Sequence, residues 1–413
     1  MFVQKSVLPG SKGSVSPGCK PLLTKGLICK QRSICEPWTN SPHRRKVASV
    51  LTIFGLSEAM EVAMKKRALN IFTKLSFLLM LAGLSAPSST AQGFDRFTVT
   101  DLGTLGGAFS AATAINNRGQ VVGRSTLNGE TITRAFLWED GVITDLGTLG
   151  GTFTTANAIN NRGQAVGASE ITANAARHAV LFERNGITDL GALPASLLGT
   201  AFGINNRGDI FGGSNPVGRS GPFHAVQYKD GGVIDLGTLG GPSSFAAGVN
   251  KRGRAVGRAD LPAGSSRAVI FSDGVITDLG TLPGGTSSAG RAINSRGEVA
   301  CLANTAAGDF HACLWRDGLM SDLGTLGGTF SDSGGINNRG QIVGTATVAS
   351  GQQHAYVFSK GKMNDLNELI PASSGWTLIA ATGINDAGEI VDNGTINGHA
   401  HAFLLTPDDD DEN

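Results

Sequence analysis

Seven positions spaced along the chain, Arg134, His178, His224, Arg267, His311, His354 and His401, are all basic, and in the first six cases an aspartate follows eleven residues later. The pairs are Arg134 with Asp145, His178 with Asp189, His224 with Asp235, Arg267 with Asp278, His311 with Asp322, and His354 with Asp365. For His401 the one equivalent acid is Asp101, near the other end of the repeat region. Imidazole beside carboxylate is the material of general acid–base chemistry and of metal coordination. A catalytic site is seldom built seven times, however, and the plainer reading gives each pair a structural task. One buried, paired polar contact per unit would fix the register of two neighbouring strands. No catalytic residue, metal site or cofactor is assigned from the sequence.

Two cysteines break an otherwise regular pattern. Cys301 stands where other units have Gly123, Gly167, Gly257 and Gly344, and Cys313 stands where they have Phe136, Val180, Val226, Val269, Tyr356 and Phe403. A glycine facing a large side chain has become cysteine facing cysteine, which predicts a disulfide across two adjacent strands. A third recurring feature is arginine: Arg118, Arg162, Arg207, Arg252, Arg296 and Arg339 share one turn position, with Ala387 as the exception. If these turns emerge together they form a positive crown for an acidic polysaccharide or another acidic surface, although Glu139, Asp140, Asp230, Asp273 and Asp317 offset much of its field. Acids outside the repeat pattern are few, namely Glu130, Glu170, Asp260, Asp309, Asp332 and Asp392, and they are scattered over different units.

These residues are carried by one repeating unit. Its "DL" step falls at Asp101, Asp145, Asp189, Asp235, Asp278, Asp322 and Asp365, a period of 43 to 46 residues. Each unit holds four short extended segments: a small-residue strand a ending in Ile/Val-Asn, a strand b of the type "QVVG", a strand c such as "RAFLW", and a strand d such as "VITDLG". Between a and b, "NNRG" supplies Asn and Gly for left-handed turn positions, and Asp140-Gly141 or Asn185-Gly186 turn c into d. A period in the low forties with four strands predicts an all-β propeller of antiparallel blades. "FTVTDLG" at the start is a strand d lacking a, b and c, while the last unit has a, b and c but no d. The two complete one blade, giving seven blades in a ring closed by its own ends. An open β-solenoid is the competing architecture.

The strings "HAF", "DLGTLGG" and "IN..GQVVG" resemble the bacterial HAF repeat, a family of probable extracellular repeat proteins, over residues 97–405. The literal His-Ala-Phe occurs only at His401 to Phe403. The resemblance implies export and repetition, and brings no activity.

Composition separates a basic head from an acidic body. Before Ala91 stand 13 Lys/Arg and 3 Asp/Glu, and after it 21 and 30, so the body is no general nucleic-acid binder. Lys65, Lys66 and Arg67, an apolar run from Leu75 to Ala86, and small Ser89 and Ala91 have the layout of a secretory signal peptide over 64–91. The run is shorter than the ~20 residues of a membrane span, so membrane attachment arises only if this segment stays uncleaved. Residues 1–63 read as an upstream extension, with translation beginning at Met64 or Met60. The propeller then covers 97–406 and an acidic tail 407–413. The expected role is a non-enzymatic, secreted or periplasmic propeller that binds polysaccharide or a cell-surface protein through the crown or through variable b–c loops such as "TLNGETIT" and "NPVGRSGPF". The alternative is a polysaccharide hydrolase or lyase on the same scaffold.

Overall fold

The computed structural model describes residues 96–129, 131–216 and 221–408. The upstream extension, the signal segment and most of the acidic tail lie outside them. Among the described residues the chain is all-β apart from three short 3-10 turns, and its strands form antiparallel sheets of the kind that make propeller blades. No helix there is long and apolar enough to cross a membrane.

The first unit shows why the sequence folds this way. Strand a, Gly106–Ile115, is built mostly of Gly, Ala, Ser and Thr, with breaks in register between Gly106 and Ser110 and between Ala112 and Ala114. Side chains this small let it approach its neighbours closely. Strand b, Val121–Leu127, pairs with a on one side and with strand c, Thr133–Glu139, on the other. A Cβ built on Gly123 of strand b would sit 2.9 Å from the Phe136 ring and closer still to the backbone of strand a, so glycine there is the condition for burying Phe136. Strand d, Val142–Asp145, returns through Asp140 and Gly141, both at positive φ as a two-residue hairpin turn requires. The second unit differs from the expected turn. Glu183 faces Gly186, so its loop is Arg184 and Asn185 rather than Asn185 and Gly186.

Units after the first repeat this order, and the first two are joined further by one bridge between Thr133 and Phe153. The last unit departs from it. Its strand a is split into Trp376–Leu378 and Gly383–Ile384, and four residues, 379–382, oppose only Asp392 and Asn393 of strand b. Its fourth strand is Phe97–Asp101, which pairs antiparallel with His399–Pro407 from Phe97 opposite Pro407 to Asp101 opposite Phe403. Apolar residues buried between sheets form one cluster per interface. Phe97, Val343, Ile390, Phe403 and Leu405, for example, belong to one cluster although they come from distant parts of the chain.

Candidate functional site

The repeated motifs turn out to be hydrogen-bond devices. In the a–b turn the first asparagine of "NNRG" keeps ordinary backbone geometry and only the glycine takes positive φ, which corrects the expectation that both residues are left-handed. Asn116 instead works through its side chain. Its Oδ1 accepts the N–H groups of Arg118 at 2.9 Å and Gln120 at 3.0 Å, and its Nδ2 donates to the Asn160 carbonyl of the next unit at 3.0 Å. The same inter-unit bond runs from Asn160 to Asn205, Asn205 to Asn250, Asn250 to Asn294, Asn294 to Asn337, Asn337 to Asn385, and Asn385 to Asn116, all between 2.9 and 3.3 Å.

The aspartate of "DLG" also has two jobs. Asp145 Oδ1 accepts the N–H of Gly147 at 2.8 Å, while the other oxygen faces the basic residue of strand c. His Nδ1 to Asp Oδ2 distances are 2.9 Å for His178 and Asp189, 2.7 Å for His224 and Asp235, 2.9 Å for His311 and Asp322, 2.5 Å for His354 and Asp365, and 2.9 Å for His401 and Asp101. Arg134 and Arg267 stand farther off, at 3.8 Å from Asp145 and Asp278. Contrary to expectation, these pairs are not buried, except that Asp365 beside His354 is. Asp189 and Asp322 leave 43% and 41% of their side chains exposed, because strand d ends at the rim, where its glycine turn faces water. A missed partner lies beside them: the N–H of the alanine after the basic residue donates to a buried serine of the neighbouring unit, as Ala268 does to Ser288 and Ala402 to Ser110, each at 2.8 Å.

Cys301 and Cys313 face each other directly in the ladder, with Cα atoms 4.8 Å apart and sulfurs at disulfide distance. Two arginines of the a–b turns spend their charge on a neighbouring acid. Arg207 binds Asp209 Oδ2 at 2.7 Å and Arg296 binds Glu298 Oε2 at 2.6 Å. Burial raises both acids, but the hydrogen bonds from Asn205 and Arg207 on Asp209, and from Asn294 and Arg296 on Glu298, outweigh it and hold them below the ordinary range. Arg118 donates to Gln120 Oε1 at 2.7 Å, and Arg339 donates to the Asp386 carbonyl. Arg162 reaches over Gly208 of the next unit, and Arg252 lines a groove together with Arg207.

The opposite end, on the side of the b–c loops, is where the repeat breaks down. There the small strands a surround an axial channel whose cavities fall from 380 Å³ at the mouth through 280 Å³ to 190 Å³ at the asparagine circuit. The strand a residue at the bulge lines the wall and differs in every unit except for a shared threonine: Thr113, Asn157, Phe202, Ala247, Arg291, Gly334 and Thr382. Phe202 meets Phe245 with ring centres 4.4 Å apart, and Arg291 binds Asp332 through two bonds of 3.0 and 2.7 Å. At the mouth Arg124, Phe153, Arg177 and Asn393 line the same cavity as Asp392.

Asp392 occupies the strand b position of Gly123, and only the extra strand a residue opposite it makes room for a carboxyl. It is 5% exposed. Burial pushes it up to about 7, against the opposing pull of the Asn393 N–H at 2.7 Å, Thr382 and Arg124. In the sequence Asp332 and Asp392 are irregular acids of different units. Asp392 lies at the channel mouth, and Asp332 holds Arg291, which lines the wall. The signal that could have found this was their place on strands a and b rather than in the loops. Glu170 lies 3.7 Å from Arg177 at the same mouth, whereas Asp260 is bound by Ser266 away from it. Among the described residues no group of three or more His, Cys, Asp or Glu stands together as a metal site.

No family model matches the chain, and no curated protein matches it. Solved structures do resemble it distantly. TolB from Acinetobacter baumannii is 12% identical with a TM-score of 0.40, over 59% of this chain and 61% of that one, so the match spans less than two thirds of TolB. The β-propeller domain of the trilobed protease from Pyrococcus furiosus is 10% identical with a TM-score of 0.42, over 73% and 96%. A lectin from Aleuria aurantia in complex with a fucosylated sugar is 12% identical with a TM-score of 0.38, over 65% and 99%.

Proposed function

We propose that this chain is an exported seven-bladed β-propeller, closed by its own ends, that binds a saccharide at the wide end of its axial channel without turning it over. One observation carries the binding reading: side chains that break the repeat gather at that mouth, while the rest of each unit is spent on structure. Half-buried Phe202 and Phe153 offer apolar faces to the C–H surface of a sugar ring, and Asn157, Asn393 and Thr155 offer donors and acceptors to its hydroxyls. Ring closure is supported by the seven successive asparagine bonds, which return from Asn385 to Asn116, and by the pairing of Phe97–Asp101 with His399–Pro407. Export rests on the signal-like segment and on the Cys301–Cys313 pair, and the likeness to HAF repeats belongs to the same proposal.

The hydrolase or lyase reading has one observation in its favour, a carboxyl at the mouth that still holds a proton near neutrality. Its natural partner acids are already engaged: Asp332 with Arg291, and Glu170 with the Thr152 hydroxyl. A glycan array with the mature chain, read beside an assay for released reducing ends, tests both. Binding without release, lowered about tenfold by Phe202→Ala in a folded protein, is the expected result. Release of reducing ends would transfer the site to the enzymatic reading, and binding indifferent to Phe202 would remove the ligand from the channel.

A further inference from the structure

Resting on that reading, we infer that the channel mouth is selective for an anionic saccharide, one bearing a carboxylate or sulfate group that is received between Arg124 and Arg177. Neither arginine is needed by the repeat. The Arg124 position holds Ala168, Gly213, Leu302, Thr345 and Asn393 in other units and is arginine again only at Arg258. The Arg177 position holds Thr133, Phe223, Ser266, Phe310, Gln353 and Ala400. Both side chains line the same 380 Å³ cavity.

Each guanidinium is steadied in a way that leaves its N–H groups for a ligand. Arg124 lies over the Phe109 ring at 5.7 Å and Arg177 over the Phe153 ring at 4.7 Å. A cation held on an aromatic face is oriented without spending its in-plane donors, and those donors match the two oxygens of a carboxylate or sulfate. Arg177 Nε is buried without a hydrogen-bond partner, and the Glu170 carboxylate stands 3.7 Å from a terminal nitrogen of the same guanidinium, beyond hydrogen-bond reach. A buried charged donor left unpaired is costly, which makes it a place where an arriving acceptor gains most.

The charges around the two arginines do not cancel them. Glu170 and Asp392 are the acids at the mouth, and Asp392 is partly protonated near neutrality. The local excess is therefore positive although the body carries more acids than bases, which confines the attraction to this opening.

Calorimetric titration of the mature chain with three probes tests the inference: a galacturonate oligomer, a sulfated galactose oligomer and an uncharged glucose oligomer. The expected result is binding of at least one acidic probe about tenfold or more above the neutral one, weakening as salt rises from about 50 to about 500 mM. The preferred acidic probe identifies the anion. Arg124→Ala and Arg177→Ala should each lose about tenfold or more, with Arg184→Ala, on an outer turn, unchanged and all three melting as folded proteins. Equal affinity for neutral and acidic probes, or arginine variants with undiminished affinity, would overturn the anionic assignment while leaving a neutral-sugar site standing. Failure of all three probes to bind at about 1 mM would overturn both readings.

Discussion

Asp392 is a side chain whose burial couples stability to pH. Its carboxyl titrates near 7 in the folded protein against an ordinary 3.8, because burial outweighs the Asn393, Thr382 and Arg124 interactions that favour the ion. Below about pH 4 both folded and unfolded chains hold this proton and the group has no effect on stability. As pH rises from there to about 7 the unfolded chain releases it while the folded chain keeps it, so stability falls through that window and is level above it. Asp392→Asn keeps the shape without the titration. Urea unfolding should find the variant close to the parent near pH 4 and more stable near pH 8 by on the order of 4 kcal/mol. An offset that does not change with pH would mean that Asp392 is ionised and paired throughout.

At the scale of the strand and turn, the a–b connection concentrates its cost in one residue. Asn205 is 5% exposed, and it satisfies the N–H groups of Arg207 and Asp209 and the Asn250 carbonyl at once. Asn206, its neighbour, is exposed and accepts one bond, from the N–H of Asn161 at 2.8 Å. Asn205→Ala should therefore cost about 3 kcal/mol and Asn206→Ala about 1 kcal/mol or less, read from denaturant midpoints. Similar losses for both would deny the special place of the first asparagine. The four-strand unit, its hairpins and the facing cysteines were legible in the sequence because repetition aligns equivalent residues, so each position is read seven times over. The inter-unit roles of the asparagine and serine were not legible, since those partners lie in a neighbouring unit, and a linear pattern shows who recurs rather than who is touched. The channel mouth was hidden for a related reason. Its residues come from strands a and b of different units and look like noise in the repeat, and the split of the last strand a that shelters Asp392 leaves no motif behind.

For the molecule as a whole, the pairing of Phe97–Asp101 with His399–Pro407 is the junction on which the ring reading depends. A mature chain shortened to begin at Gly103 leaves the N–H and C=O groups along the outer side of that last strand unpaired and uncovers the Phe97 site in the core. It should melt at a lower temperature and associate through the bare edge in sedimentation experiments. A monomer as stable as the parent would break the ring. The same junction bears on how the protein comes into being. His401 and Asp101 stand 300 residues apart in sequence yet meet at 2.9 Å. Phe97 is synthesised long before Leu405, so the first strand stays unmatched until the segment His399–Pro407 has followed it, and the contact that joins them is among the least local in the fold.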